Sequence, residues 1–264
     1  MSAIVFLGGG RITSALLAGL RLAKHDDPII VHDHNPRKLR ELQERYGITV
    51  ENDLAPAVAK AKVLIIAVRP ASVSGLLREI NSVDRPMTAV SLAAGIPLAK
   101  LRAGLGPPVK WVRAMPSSVC RRCRGLTALT FERSFPNARR REITQLFSKV
   151  GTVLEIPESK FDAFTVTYSS SHGYHALSVL AAAGEKLGLN RRIALTAAAH
   201  ALADGIAAWR EGDDSLDSLL REAVTPRGIA AAVMDAMDQA GFRRAVEKGL
   251  AAGLKRTRRN AKLG

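Results

Sequence analysis

The chain has 264 residues, a formal net charge of +15 and an apolar fraction of 47%. That length exceeds one small core and suits two modest domains, each with enough apolar surface to pack. No apolar run approaches the ~20 residues of a membrane span, and the opening MSAIVFLGGG has no basic stretch ahead of its apolar one, so neither a spanning segment nor a secretory leader is expected.

In chain order, strands are expected at residues 3–7, 28–32, 62–68, 87–92, 109–115, 126–131 and 152–156. Helices are expected from the first glycine turn to residue 23, and at 36–46, 72–80, 97–105 and 136–150. Strands alternating with helices imply βαβ units and a parallel sheet. Right-handed crossovers then leave a doubly wound, Rossmann-type sheet as the main arrangement. After Pro157 the strand signals stop and Ala-rich helical stretches follow, at 159–187 and 190–210. Pro226 and Gly228 break the next stretch, and a closing helix carries Phe242, Val246 and Leu250, four apart. The expected architecture is α/β: a dinucleotide-binding domain at 1–157, then an all-α domain at 158–264. The helix around 194–208 is apolar nearly all round, so it must be covered on several sides. So short a helical domain cannot do that alone, which implies a subunit interface and a dimer or a multiple of dimers.

The segment IVFLGGGRITSALLAG sets Gly8 and Gly10 between a strand and a helix start, with Arg11, Ile12 and Thr13 leading into the helix. Gly8 permits the tight turn. Gly10 lets the backbone approach a pyrophosphate, which the helix N-terminus attracts. Thr13 stands where the third glycine of G-x-G-x-x-G would be. Asp33 ends the second strand, where an acid accepts hydrogen bonds from the adenosine ribose and repels a 2′-phosphate. His34, Arg37 and Lys38 follow at once and could pair that phosphate. An NAD(P)H cofactor is expected, with the choice between NADH and NADPH open.

Cys120 and Cys123 form a lone C-x-x-C. A structural zinc would need two more ligands nearby, and none is evident. A redox dithiol is the other special reading, and two reduced thiols on a loop of a cytoplasmic protein is the plain one. Basic clusters at 121–124, 139–141 and 255–259 attract anions. No aromatic residues interleave them, which argues against a nucleic-acid platform.

With these elements in order, the sequence resembles the pyrroline-5-carboxylate reductase family over nearly its whole length. AVRP, Ala67, Val68, Arg69 and Pro70, resembles the family's AVKP, a turn that flanks the cofactor. SLAAG at 91–95, with Ala94, is similar to S-x-A-A-G, and VRAMPSS at 112–118, with Ser117, resembles V-R-x-M-P-N-T. Residues 161–189 resemble the stretch from D-A-x-T through K-x-G-L, and 241–258 the closing helix. The resemblance implies an oxidoreductase of proline biosynthesis, transferring hydride to a small anionic cyclic imino acid. It also implies a C-terminal dimerisation domain with the active site near the interface, and assigns Ala94 and Ser117 to cofactor contact.

The departures fall at the substrate motifs. S-G-S-G-P-A-Y is here Tyr168-Ser169-Ser170-Ser171-His172-Gly173-Tyr174, and S-P-G-G-T-T is Thr225-Pro226-Arg227-Gly228-Ile229-Ala230. The latter loop's amides and hydroxyls would hold the substrate carboxylate. Arg227 would clamp that carboxylate, fill its pocket or remain a solvated loop residue. His172 or Tyr174 would donate a proton to the imine nitrogen, or serve in packing or cofactor contact. His172 and His175 lie three apart on one helical face but lack a third metal ligand, and no metal is expected. Reduction of a different imine or carbonyl on the same scaffold, and a dinucleotide-binding protein without turnover, are the competing functions.

Overall fold

Eight strands among the described residues, 3–263 of this computed structural model, form one sheet in the order β3-β2-β1-β4-β5-β6-β7-β8. In sequence they run β1 (Ala3–Leu7), α1 (Arg11–Leu22), β2 (Ile29–His32), α2 (Pro36–Tyr46), β3 (Thr49–Glu51), α3 (Leu54–Lys60), β4 (Ala61–Ile66), α4 (Val73–Ile80), β5 (Met87–Ser91), α5 (Leu98–Gly104), β6 (Val109–Pro116), β7 (Gly125–Phe131), α6 (Asn137–Ser148) and β8 (Gly151–Glu155). Side chains alternate between the faces of a strand. Ile4 and Phe6 enter one core with Leu17, Val31 and Phe147, while Val5 and Leu7 enter the other with Leu64, Ile66 and Trp111. Burial on both faces is what helix-covered parallel strands require, and it explains their near-continuous apolar runs.

The strands β1 to β6 are mutually parallel, but β7 runs antiparallel to β6. The wholly parallel sheet expected from alternation is corrected here. Only a short 3-10 helix, Ser118–Arg122, separates β6 from β7, and a parallel crossover needs a dozen or more residues. The reversal places the start of β7 on the same sheet edge as the end of β6.

Helix α7 (Glu158–Thr167) follows β8, and α8 (Ser170–Lys186), α9 (Arg191–Glu211), α10 (Leu216–Ala223), α11 (Ile229–Gln239) and α12 (Phe242–Leu263) complete the chain. The single helix expected over 159–187 is two. Tyr168 and Ser169 take extended backbone between them, and Ser169 caps α8 by accepting the Ser171 N–H. By compactness the first unit runs through Tyr168 and takes back the stretch from Gly253 onward, and the second is Ser169–Ala252. Helix α7 therefore stands with the sheet by compactness.

The last turns of α12 are built into the sheet unit. Asn260 Nδ2 donates to the Ala94 carbonyl at 3.1 Å, and Lys100 Nζ donates to the Ala261 carbonyl at 2.8 Å. Gly95, at φ +82°, faces the Thr257 carbonyl so closely that a Cβ there would collide with it.

Within the second unit, α8 and α9 pack through Leu177, Ala181, Ala194 and Ala198. Helices α10 and α11 bury none of their residues. Ile229, Val233 and Met237 form an exposed apolar stripe with four-residue spacing along α11, and Ile229 is 87% exposed. Stripes of this size are found where another surface covers them. Among the described residues, no helix is long and apolar enough to cross a membrane.

Candidate active site

The carboxyl ends of the parallel strands open into a cleft of about 1220 Å³. Its floor is the turn after β1. Gly8 sits at φ +110°, and a Cβ on it would lie 2.7 Å from the Ala67 carbonyl, so both the conformation and the close approach demand glycine. Thr13, fully buried, donates from Oγ1 to the Gly8 carbonyl at 2.6 Å. In place of a third glycine it ties the helix back to the turn. Gly10 precedes α1 with ordinary extended backbone, and nothing lies within 4 Å of where its Cβ would be. Open space before an amide-rich helix start fits a dinucleotide pyrophosphate.

Gly8, Gly10, Arg11, Ile12, Asp33, Ala67, Val68 and Arg69 all line this cleft. Pro70 does not; it opens the 3-10 turn Pro70–Ser72 behind Arg69. Ala94 and Ser117 follow β5 and β6 on the same edge but outside the cleft lining. Arg121 also lines the cleft, although its cluster reads from sequence as surface charge. Its place follows from the reversal between β6 and β7, which no local pattern announces.

Asp33 is buried and turned inward. Its Oδ2 accepts the Gly9 N–H at 2.8 Å and pairs with Lys38 Nζ at 3.4 Å, while Oδ1 accepts the Asn35 N–H at 2.9 Å. Burial pushes its carboxyl up, but the Gly9 and Asn35 donors and the Lys38 charge outweigh that and hold it below the ordinary value. It stays ionised at neutral pH, and its contribution to stability is lost only as pH falls through the acid range. Asp33 thus braces the glycine turn, and Lys38 offsets its charge.

Strand β6, four places from β2 in the sheet, carries a buried cation that sequence reading does not single out. Arg113 Nη2 reaches Asp162 Oδ1 at 2.8 Å and Nη1 reaches Glu158 Oε1 at 3.3 Å, with its guanidinium 4.4 Å above the Phe161 ring. Glu158 Oε1 also accepts the Leu98 N–H at 2.6 Å. This network fastens α7 to the sheet. It joins the arginine of VRAMP to the aspartate that opens D-A-x-T, so two separate motifs are one contact.

The cysteines are free. Cys120 is buried, which pushes its thiol up to about 12, so it holds no appreciable thiolate at neutral pH. Cys123 donates to the Gly19 carbonyl at 3.3 Å. Both belong to the packing of the 3-10 helix against α1.

On the second unit, His172 and Tyr174 lie exposed in the first turns of α8. Thr225, Arg227 and Gly228 lie together in the turn before α11, where the Gly228 N–H donates to the Thr225 carbonyl at 2.9 Å. Pro226 followed by Arg227 at φ +62° is the pattern of a type II turn, whose third residue favours glycine. An arginine there costs ~1 kcal/mol of backbone strain. Arg227→Gly relieves that strain but loosens the unfolded chain by ~0.4–1 kcal/mol, so it should raise stability by a few tenths of a kcal/mol, read as a slightly higher denaturant midpoint. A lower midpoint would show that the guanidinium makes contacts outweighing the strain.

A Rossmann sheet, a glycine turn open to a pyrophosphate and a braced acid at the end of β2 define a dinucleotide-dependent oxidoreductase. Residues 3–95 match the family model described as NADP oxidoreductase coenzyme F420-dependent, and residues 158–260 match pyrroline-5-carboxylate reductase dimerisation. The chain belongs to the pyrroline-5-carboxylate reductase family. It is 32% identical to the pyrroline-5-carboxylate reductase of Mycobacterium tuberculosis over 97% of this chain and 96% of the relative. Solved structures share its fold: a pyrroline-5-carboxylate reductase from Coxiella burnetii (TM-score 0.86, 22% identity, 98% of both chains) and the Plasmodium falciparum pyrroline carboxylate reductase with NADP bound (TM-score 0.87, 19% identity, 98% of both chains).

Proposed function

We propose that this chain reduces pyrroline-5-carboxylate to proline with NAD(P)H. The observation that carries the reading is the open face at Gly10, set before a helix start, in a chain about a third identical to such a reductase over nearly its full length. The cofactor supplies a hydride to the imine carbon. A protonated imine is already electrophilic, so the protein's task is to position the ring and hold its carboxylate. Gly8, Gly10, Arg11 and Ile12 would hold the pyrophosphate, and Ala67, Val68 and Arg69, on the same cleft, would flank the cofactor. The turn Thr225–Gly228 presents the first amides of α11 to the substrate carboxylate. His172 and Tyr174 are the candidates for delivering the imine proton. The experiment is an absorbance assay of cofactor oxidation with a panel of cyclic imino acids. Turnover on pyrroline-5-carboxylate supports the reading, and turnover only on another imine or carbonyl replaces it.

The cofactor choice turns on Asp33. Its oxygens already serve Gly9, Asn35 and Lys38, and exposed His34 stands beside them. That arrangement supports NADPH, with Lys38 pairing the 2′-phosphate. Lys38→Ala should raise the Kd for NADPH by roughly tenfold, the cost of one charge-assisted bond, and leave that for NADH nearly unchanged. Equal effects on both would show that Lys38 serves only Asp33.

A second copy of the chain covers the stripe on α11, so the working form is a dimer or a multiple of dimers. Ala194 and Ala198 of α9, in the stretch expected at the interface, are instead buried against the chain's own α8. Val233→Glu should set an unpaired charge in the interface and yield smaller species in sedimentation at micromolar concentration. Unchanged sedimentation would place the interface elsewhere. Free cysteines and a nicotinamide cofactor support a cytoplasmic setting.

A further inference from the structure

Two departures from the family's pattern, distant in sequence, meet in space. The pattern M-P-N-T places the longer polar side chain at position 117 and S-G-S-G-P-A-Y places a small one at 168. Here the sizes are reversed, as Ser117 and Tyr168. The Tyr168 hydroxyl accepts the Leu126 N–H at 2.7 Å and donates to Ser117 Oγ at 3.2 Å. Ser117 Oγ also accepts the Val119 N–H at 3.2 Å and so caps the 3-10 helix after β6. The phenol is held from the side by Phe164, with ring centroids 5.4 Å apart.

One hydroxyl therefore joins the end of α7, the turn after β6 and the start of β7. All three meet at the sheet edge that carries the glycine turn. This explains why the helix stops at Tyr168: the side chain is committed to the sheet, and Ser169 begins the next helix with its own cap.

We propose that Tyr168 is a positioning residue for the turn at residues 115–119, and that it and Ser117 form an exchanged pair whose members work only together. The inference rests on the reading under Proposed function. A lone Ser117→Asn crowds the phenol. A lone Tyr168→Ser strips the Leu126 N–H of its acceptor and leaves a void. Either displaces the turn, which lies at the same sheet edge as the glycine turn and so bears on how cofactor and imino acid meet. The double variant restores the pattern's own combination.

The test is a four-cornered comparison of wild type, Ser117→Asn, Tyr168→Ser and the double variant, with Tyr168→Phe beside them. Each single change should lower kcat/KM for pyrroline-5-carboxylate about tenfold. The double should lie within about threefold of wild type, a coupling well inside the range seen for touching residues. Tyr168→Phe keeps the ring packing and loses only the hydroxyl. It should raise KM several-fold while the Kd for NADPH, read from cofactor fluorescence without substrate, stays within about twofold. Losses that multiply in the double variant, or a Tyr168→Phe enzyme with wild-type KM, overturn the pair and leave the assigned reaction standing. A wild-type chain inactive on pyrroline-5-carboxylate overturns both.

Discussion

Gly10→Val should weaken NAD(P)H binding by ~100-fold or more, about 2.7 kcal/mol, without unfolding the protein. The backbone at Gly10 is ordinary extended, so valine adopts it without strain, and the space around its Cβ is empty. A branched side chain there stands at the mouth of α1, where the pyrophosphate must approach the amides. The folded chain loses at most a few tenths of a kcal/mol to ~1 kcal/mol from a poorer helix cap. Cofactor fluorescence measures the affinity and circular dichroism the fold. Unchanged affinity would remove the pyrophosphate from this helix. Gly8→Ala offers the contrast two residues away. Its Cβ would press on a backbone carbonyl in a left-handed conformation, so it should lower the melting temperature instead.

Arg113→Met should cost ~3 kcal/mol of stability, the toll of breaking a buried ion pair by removing one partner. Glu158 and Asp162 remain about a third exposed, so their stranded charges recover some water and the low end of the usual range applies. For a protein of this size that is a fall of ~6–12 °C in melting temperature at fixed protein concentration. The stacking over Phe161 is lost as well. Arg113→Lys should recover only part, because an ammonium cannot reach both carboxylates from one plane. A fall of less than 2 °C for the methionine variant would show that α7 is held by its apolar contacts alone.

The sequence shows plainly those elements whose stability comes from their own pattern. The two-sided apolar runs of β1, β4, β5 and β6 announce buried strands, and Gly8 and Gly10 announce the turn. Three features lack such a pattern. Strand β3 has only three residues and no buried one, so its existence depends on pairing with β2. Helices α3 and α10 are short enough that their amphipathic stripe spans barely two turns. The direction of β7 depends on the length of the connection before it, not on its own residues.

The site divides in the same way. The cleft residues after β1 and β4 are legible because each serves a local turn. The inward aim of Asp33 is not, because its partner Gly9 lies on another strand's loop. Nor is Arg113, which reads as one more cation in a chain with 39 lysines and arginines until Asp162 is brought to it by the fold.

Helix α12 carries a consequence for the order of synthesis. The connection after β5, with Ala94 and Gly95, is finished by Thr257, Asn260 and Ala261, residues more than 160 positions further along the chain. A nascent chain can build most of the sheet early, as N-terminal domains generally do. It cannot seat this connection until α12 has been made. The sheet unit is therefore not an independent early folder but waits on α12. Formation of that helix, rather than completion of the eighth strand, becomes the step that closes the unit, and a chain without it keeps an open edge.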